Sequence, residues 1–284
     1  MAVPLHFDAP SALDYFAALV ADDASLPVLE AAVAIAQDDD PGLDVQGVLA
    51  RVDELALHLK RRIPADAVPL QRLRLLNRYF FQELGFAGNV NNYYDRRNSL
   101  LPAVLESRRG IPITLAVLYI EVAAQAGLTA QGVAFPGHFL VKVQMPRGEV
   151  VIDPLSGHSL SRDELLERLA PYLAAQGVSD GAEAALGGFL QPARGRDVIE
   201  RMLRNLKEIH RSHCDWGRLE RVQARLVVLL PRAWEEQRDH ALVLAELGAH
   251  QLAARSLALY LQHRPQAQDA AALRRRLVAW QNAQ

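Results

Sequence analysis

The chain has 284 residues, of which 50% are hydrophobic and 23% are charged, a composition typical of a globular protein with a large core. Its formal net charge of −2 does not predict a nucleic-acid partner. Cys214 is the one cysteine, which excludes an intrachain disulfide and a cysteine-based zinc cage. We find neither a secretory signal nor an apolar run of the ~20 residues that span a bilayer, so we expect a cytoplasmic protein without a membrane partner.

The N-terminal third has the hydrophobic period of amphipathic helices. Ser11 is a candidate N-cap for the first of them. The predicted helices cover residues 12–21, 28–37, 45–63 and 69–84. Three aspartates at 38–40 precede Pro41 and Gly42, a pattern typical of a solvated turn. We therefore assign no metal site to them.

Residues 89–95, with the sequence NVNNYYD, combine poor helix propensity with an unusual density of polar and aromatic side chains. Because Asn and Asp side chains bond nearby backbone groups, a structured loop is one interpretation. The other interpretation is a loop that lines a cleft, with Tyr93 or Tyr94 presenting its ring. The pattern does not decide between them.

The middle of the chain predicts an α+β domain. A helix over 100–108, which Ser99 could cap, precedes a nearly all-apolar helix over 112–126 that we expect at the domain centre. Short β-branched segments predict three strands, at residues 130–135, 139–145 and 149–153. Ser161 and Glu164 form a capping box for the next helix. The glycine-containing segment 176–188 indicates a linker or mobile loop.

The C-terminal third contains an internal repeat of 34 residues. Pro231 and Pro265 are separated by this period, and Cys214 and Gly248 share the same offset. A 34-residue period is typical of tetratricopeptide helix pairs. We predict two such pairs, at about 200–233 and 234–267, followed by a capping helix.

His138 and Asp153 are the candidates for chemistry. His138 precedes one predicted strand and Asp153 ends the next, so the two side chains could meet if these strands pair antiparallel. Cysteine proteases and transglutaminases combine such a His–acid pair with a thiolate at a helix N-terminus.

Residues 91–161 resemble the SirB1-type branch of the transglutaminase-like superfamily, because they contain five motifs of that branch in the same order. They are NNYYD at 91–95, RRNS at 96–99, RGIPITL at 109–115, FPGHFL at 135–140 and IDP at 152–154. The resemblance implies a helix-rich, papain-like transglutaminase-like domain with a small antiparallel sheet over residues 1–190, with its core at about 70–175. It also implies an α-helical tetratricopeptide-type module over residues 191–284, consistent with the 34-residue period.

The resemblance assigns His138 and Asp153 to the His and Asp of the superfamily triad. Active members carry a cysteine ahead of the central helix. Gly110 and Gly127 flank that helix. When they are aligned without a gap with the flanking glycines of active members, Pro112 falls at the cysteine position, and a proline is no nucleophile. The branch itself usually lacks this cysteine, so the resemblance implies a vestigial triad that need not be active.

Thr114 has the hydroxyl nearest to the missing thiol, but two residues along a helix correspond to about 200° of rotation. We therefore interpret it as a first-turn residue or as a donor in a pocket wall. The candidate residues for a cleft or a ligand are Asn92, Tyr93, Pro112 and Thr114.

His210, His213 and Cys214 have a spacing that could hold zinc or copper on one helix face. Cys214 matches Gly248 at the turn between repeat helices, so packing is the preferred interpretation. We assign no metal and no cofactor. His158 is expected in an exposed loop near the cleft.

Two functions from different classes follow. The first is a non-catalytic protein that acts in protein interaction or regulation, with a protein or peptide partner on its repeats or a peptide or polar ligand in its cleft. The alternative is a residual hydrolase or amide transferase that uses His138 as base and water, Thr114 or Ser99 as nucleophile. A third interpretation, in which His138 and Asp153 only cap strands, also stays open.

Overall fold

The computed structural model describes residues 10–92, 94–177 and 181–282. The chain forms two compact units. The α+β unit comprises residues 27–36 and 44–202, and the repeat unit comprises residues 10–26, 37–43 and 203–282. The sequence-based division after residue 190 stays a prediction.

The predicted N-terminal helices are present, with shorter ends. Their bounds are α1 (Ala12–Leu19), α2 (Val28–Ala34), α3 (Val45–Lys60) and α4 (Pro69–Asn77). Ser11 caps α1 in a reciprocal capping box with Asp14, as its N-cap position predicts. A π-helical turn, Arg78–Glu83, continues α4.

The predicted cap at Ser99 is wrong. Ser99 lies inside a 3₁₀ turn, Arg96–Ser99, and Leu100 precedes α5 (Leu101–Ser107). The Ser99 side chain is 1% exposed, and its hydroxyl has no hydrogen-bond partner among the residues described. The 3₁₀ turn places it at a buried position, where it cannot reach the free N–H groups that a cap satisfies.

The sheet of the α+β unit is a four-stranded antiparallel meander. Its strands, in spatial and chain order, are β3 (Ala130–Val133), β4 (Leu140–Met145), β5 (Gly148–Ile152) and β6 (Ser159–Leu160). Val141 lies opposite Ile152, and Met145 lies opposite Gly148 at the hairpin turn. Two short parallel strands, β1 (Ala87–Gly88) and β2 (Arg109–Gly110), form a separate pair.

The central helix α6 (Pro112–Gln125) is buried without a break from Pro112 to Tyr119, as its apolar composition predicts, whereas Ala124 near its end is exposed. It packs against α3 and against the sheet. A second apolar cluster joins the sheet to α7 (Arg162–Ala175) and α8 (Ala182–Phe189). Ser161 and Glu164 cap α7 in the predicted capping box.

The linker predicted over 176–188 is wrong for its second half, where α8 forms. Alanines at 182, 184 and 185 favour a helix, and Leu186 is buried in the cluster that also contains Leu173. Glycine content was therefore a poorer guide than the alanine–leucine pattern. Residues 178–180 of the predicted linker lie outside the described residues.

The predicted repeat is confirmed in the C-terminal helices. They are α9 (Gly195–Ser212), α10 (Trp216–Leu229), α11 (Trp234–Glu246), α12 (His250–His263) and α13 (Ala270–Asn282). Cys214 and Gly248, one period apart, both have a positive φ, 52° and 76°, at the turn inside a helix pair. The backbone turn is thus repeated although glycine is replaced by cysteine.

The prediction of a solvated turn is wrong for two of its three aspartates: Asp38 and Asp39 are half-buried, whereas Asp40 is exposed. Asp38 receives two hydrogen bonds from Arg225 on α10, and Asp39 receives one from Arg218. The local pattern of three acids before a Pro-Gly turn did not reveal these arginines, which lie about 180 residues further along the chain. Within the described ranges, every helix is too short or too polar to cross a lipid bilayer.

Candidate active site

The structure brings His138 and Asp153 together at one end of the hairpin formed by β4 and β5. His138 lies in a tight turn before β4, where Gly137 has a φ of 68° and the His138 N–H donates to the Phe135 carbonyl. Asp153 directly follows β5. Because the strands are antiparallel, the two side chains meet, with His138 Nε2 3.0 Å from Asp153 Oδ1.

Asp153 has two further partners. Its Oδ1 also accepts the N–H of Leu155 at 3.0 Å. Its Oδ2 accepts a hydrogen bond from Arg168 Nη1 at 3.0 Å. The carboxylate is therefore held by a ring nitrogen, a backbone donor and a guanidinium, which together fix its orientation.

These partners keep Asp153 ionised. Burial by itself raises the pKa of the carboxyl, but the hydrogen bonds from His138, Leu155 and Arg168 favour the charged form and outweigh it. The pKa of Asp153 is lowered from 3.8 to about 2. The site thus contains a fixed negative charge at neutral pH, offset by Arg168.

The lowered pKa of Asp153 makes part of the stability dependent on pH. As the pH falls, Asp153 is protonated in the unfolded chain before it is protonated in the folded chain. Its contribution to the free energy of unfolding is therefore present above pH 4 and is lost between about pH 4 and pH 2. We expect the stability difference between wild type and Asp153→Asn to be about 2 kcal/mol larger at pH 6 than at pH 2. Urea unfolding followed by circular dichroism at both pH values measures it, and a pH-independent difference would contradict the assignment.

Arg168 is a site residue that sequence reasoning missed. It lies on α7 between Leu165 and Leu169, two buried members of the apolar face. Its sequence position relative to these two leucines places Arg168 at the edge of the apolar face. This position was the sequence feature that could have pointed to it. The identity of its partner could not be read from the sequence because it depends on how α7 packs on the sheet.

The loop after Asp153 contacts the pair of strands that leads into α6. The Gly88 N–H donates to the Leu155 carbonyl at 3.1 Å, and Gly88 pairs with Gly110. A Cβ at Gly88 would lie 2.9 Å from the end of the Leu155 side chain, so a larger residue there would require that side chain to move. One hydrogen-bonded path therefore connects Asp153 to the start of α6.

Pro112 and Thr114 lie in the first turn of that helix. Pro112 is at its first position, where its missing N–H costs nothing. The Thr114 side chain is fully buried, and its hydroxyl lies 2.8 Å from the Asn98 carbonyl and 3.0 Å from the Ile111 carbonyl. It also accepts the Ile111 N–H. The hydroxyl thus holds the backbone at the helix start.

The asparagine-rich segment is a structured loop joined to the same helix start. Asn89 donates its side-chain amide to Asn98, Asn98 donates to the Asn92 carbonyl at 2.7 Å, and the Asn92 N–H donates back to Asn89. The Asn92 side chain is exposed. Tyr94 is 77% exposed, whereas Tyr93 lies outside the described residues.

The other candidate residues make local contacts, and His158 follows Asp153 closely in the chain, its carbonyl accepting the Asp153 N–H at 2.9 Å. Cys214 is exposed in its helix turn, and His210 Nδ1 lies 3.9 Å from Asp215. His158 is half-exposed and pairs with Glu164 at 2.9 Å. Over residues 10–92, 94–177 and 181–282, no cluster of three His, Cys, Asp or Glu side chains could hold a metal ion.

Comparison with known proteins defines the family. The model of the transglutaminase-like superfamily matches residues 46–204, and a tetratricopeptide repeat model matches residues 206–278. The chain therefore belongs to the transglutaminase-like superfamily, in the SirB1-type branch that carries C-terminal tetratricopeptide repeats.

Similar proteins occur in bacteria and in mammals. A UPF0162 protein of Xylella fastidiosa is 37% identical over 262 residues, 92% of each chain. A UPF0162 protein of Pseudomonas aeruginosa is 31% identical over 183 residues, 64% of each chain. F-box only protein 21 of Mus musculus is 33% identical over 140 residues, 48% of this chain and 21% of that protein. No solved structure matches the chain.

Proposed function

We propose that this protein is a non-catalytic transglutaminase-like protein that binds a peptide or another polar ligand beside the His138–Asp153 pair and a protein partner on its repeats. The observation that carries the proposal is Pro112. It opens the central helix at the position that the family resemblance assigns to the nucleophilic thiol, and it has no group that can attack a carbonyl carbon.

The remaining nucleophile candidates support the same conclusion. Cys214, the one cysteine of the chain, belongs to the repeat unit. Thr114 is fully buried and its hydroxyl is hydrogen-bonded to backbone carbonyls. Ser99 is 1% exposed. A residual hydrolase that uses either hydroxyl therefore needs a rearrangement at the start of α6, which makes it the weaker alternative.

Arg168 favours binding over base catalysis. In a catalytic triad the acid stabilises the imidazolium that forms when the His takes up a proton. Here the guanidinium of Arg168 lies on the second oxygen of Asp153 and offsets part of that negative charge. The arrangement suits a ring that Asp153 holds in place and whose other nitrogen binds a ligand.

The His138 ring is accessible enough for that role. Its side chain is 19% exposed, and Nδ1 makes no hydrogen bond to any described residue. Because Nε2 is bound to Asp153, Nδ1 is the nitrogen left to pair with a polar group of a ligand.

The repeat unit has a cavity of about 290 Å³ that suits one anchoring side chain of a partner. Its apolar lining consists of Trp216, Leu219, Leu242 and Val243. Its charged lining consists of Lys207, Arg211, Asp239, Glu246 and Arg276. An apolar wall with both signs of charge around it is the composition of a protein-binding hot spot.

Affinity capture from cell extract with matched variants tests the proposal. His138→Ala removes the ring from the dyad, and Leu242→Arg puts a charge into the repeat cavity. The controls are His58→Ala and Leu252→Arg, the same changes at exposed positions outside both sites.

We expect one partner that wild type and both controls retain and that both site variants lose. A partner profile that is identical for all five proteins would overturn the proposal. Loss by Leu242→Arg alone would overturn the part that concerns the dyad.

A further inference from the structure

A half-buried arginine of the α+β unit has no anionic partner among the residues that the structure describes. Arg108 ends α5 with a φ of 59°, and its guanidinium lies 4.7 Å from the ring centroid of Phe86. The Nη1 atom is buried, with no hydrogen-bond partner among the residues described. A buried donor without a partner is costly, so it points to a group that is still to bind.

A second arginine acts electrostatically on Arg108. Burial lowers the pKa of Arg108, and the positive charge of Arg51 on α3 lowers it further. Within the described part of the chain, neither arginine forms an ion pair with a carboxylate. Two like charges in such an environment repel each other until an anion joins them.

A tyrosine and two more arginines complete the cluster. Tyr79 is 4% exposed and lies within the electrostatic range of Arg108. The guanidinium of Arg62 lies 5.2 Å from the centroid of the Tyr79 ring. Burial raises the pKa of Tyr79, so its hydroxyl stays a neutral donor. Glu83 is shared by Arg62 and by Arg78, the latter at 3.4 Å.

The cluster therefore has four guanidinium groups and one carboxylate. Glu83 is already bound to Arg62 and Arg78, which leaves Arg51 and Arg108 uncompensated. The hydroxyl of Tyr79 makes no hydrogen bond to a described residue. Arg51, Tyr79 and Arg108 thus offer two guanidiniums and one neutral O–H donor that the described residues leave without a hydrogen bond.

We propose that Arg51, Tyr79 and Arg108 form a binding site for a phosphoryl group. Guanidinium forks match the oxygens of a phosphate in paired hydrogen bonds, and the phenol can donate to a third oxygen. A dianion balances the two uncompensated positive charges, whereas a carboxylate balances one and offers two oxygens instead of three.

Isothermal titration calorimetry of the full-length protein tests this site. The probes are inorganic phosphate, O-phosphoserine and adenosine monophosphate, which separate free phosphate from phosphorylated side chains and nucleotides. Acetate is the comparison anion, and sodium chloride keeps the ionic strength constant. At least one phosphoryl probe is expected to bind about tenfold more tightly than acetate.

Three variants locate the binding. Arg108→Gln should weaken the best phosphoryl probe by about tenfold, and Tyr79→Phe, which removes a hydroxyl alone, by about threefold. Arg147→Gln makes the same charge change at an exposed hairpin position and should bind as wild type does.

Wild-type affinity in Arg108→Gln, or equal affinity for acetate and every phosphoryl probe, would overturn the proposal. If Arg108→Gln does not fold, Tyr79→Phe decides. A weaker phosphoryl affinity in that variant supports the site, and an unchanged affinity overturns it.

Discussion

Replacing Arg225 with methionine is expected to lower the free energy of unfolding of the repeat unit by about 3–5 kcal/mol. Arg225 is 1% exposed, and its Nε and Nη2 atoms each lie 2.7 Å from an oxygen of Asp38. The guanidinium also lies 4.8 Å from the ring centroid of Phe16 on α1. Removing it leaves a largely buried carboxylate without a counterion, which is a severe destabilising change.

The three tryptophans at 216, 234 and 280 all belong to the repeat unit. Urea unfolding followed by their fluorescence therefore reports on the unit in which the substitution lies. Arg255→Met, at an exposed position on α12, is the matched control and should change the stability by less than about 0.5 kcal/mol.

The double variant Asp38→Leu with Arg225→Met should recover part of the loss, since no buried charge then remains unpaired. A loss below 1 kcal/mol for Arg225→Met alone would show that this pair does not hold the aspartate turn.

The second large effect is expected from restoring a thiol with Pro112→Cys in a Cys214→Ser background. A thiol in the first turn of α6 experiences the positive end of the helix dipole, and the family resemblance assigns this position to the thiol whose proton the triad histidine, here His138, takes up. Because Pro112 is buried, the rate is compared at the same position: the reaction with iodoacetamide at pH 7 should be about tenfold faster than in the variant that also carries His138→Ala.

His138→Ala in the same background should remove this acceleration. The substitution at Pro112 itself is expected to be tolerated, because the first N–H of a helix has no intrahelical partner. Loss of the α-helical circular dichroism signal would identify a variant that fails for structural reasons. A folded variant whose rate is unchanged by His138→Ala would contradict the assignment of position 112.

Local sequence patterns predicted much of the fold. The apolar run from Pro112 predicted a buried helix, the turn at 146–148 predicted the β4–β5 hairpin, and Ser161 with Glu164 predicted the start of α7. These features depend on residues close together in the chain. The 34-residue period predicted the helix pairs for the same reason, since each repeat encodes its own turn.

Features that depend on distant residues were not predicted. Asp38 and Asp39 were interpreted as solvated because their arginine partners lie beyond residue 200. Arg168 was missed since its contact with Asp153 arises from the packing of α7 on the sheet. The phosphoryl site joins α3, the π-helical turn and the end of α5, which no sequence window contains.

In the candidate site, too, the features that depend on local sequence were predicted and those that depend on distant residues were not. His138 and Asp153 were brought to notice by their positions at strand ends, and hairpin pairing places them 3.0 Å apart. Thr114 was considered as a nucleophile on residue type alone. Its contacts with the Asn98 and Ile111 carbonyls depend on the loop that folds over the helix start.

The central claim is that His138 activates no nucleophile. Intact-mass spectrometry tests it most directly, after wild type and His138→Ala are incubated with a fluorophosphonate probe for activated hydroxyls and with an acyloxymethyl ketone probe for activated thiols. We predict that neither protein gains the mass of either probe beyond the level of the heat-denatured protein. A single adduct on wild type that is absent from His138→Ala would contradict the account.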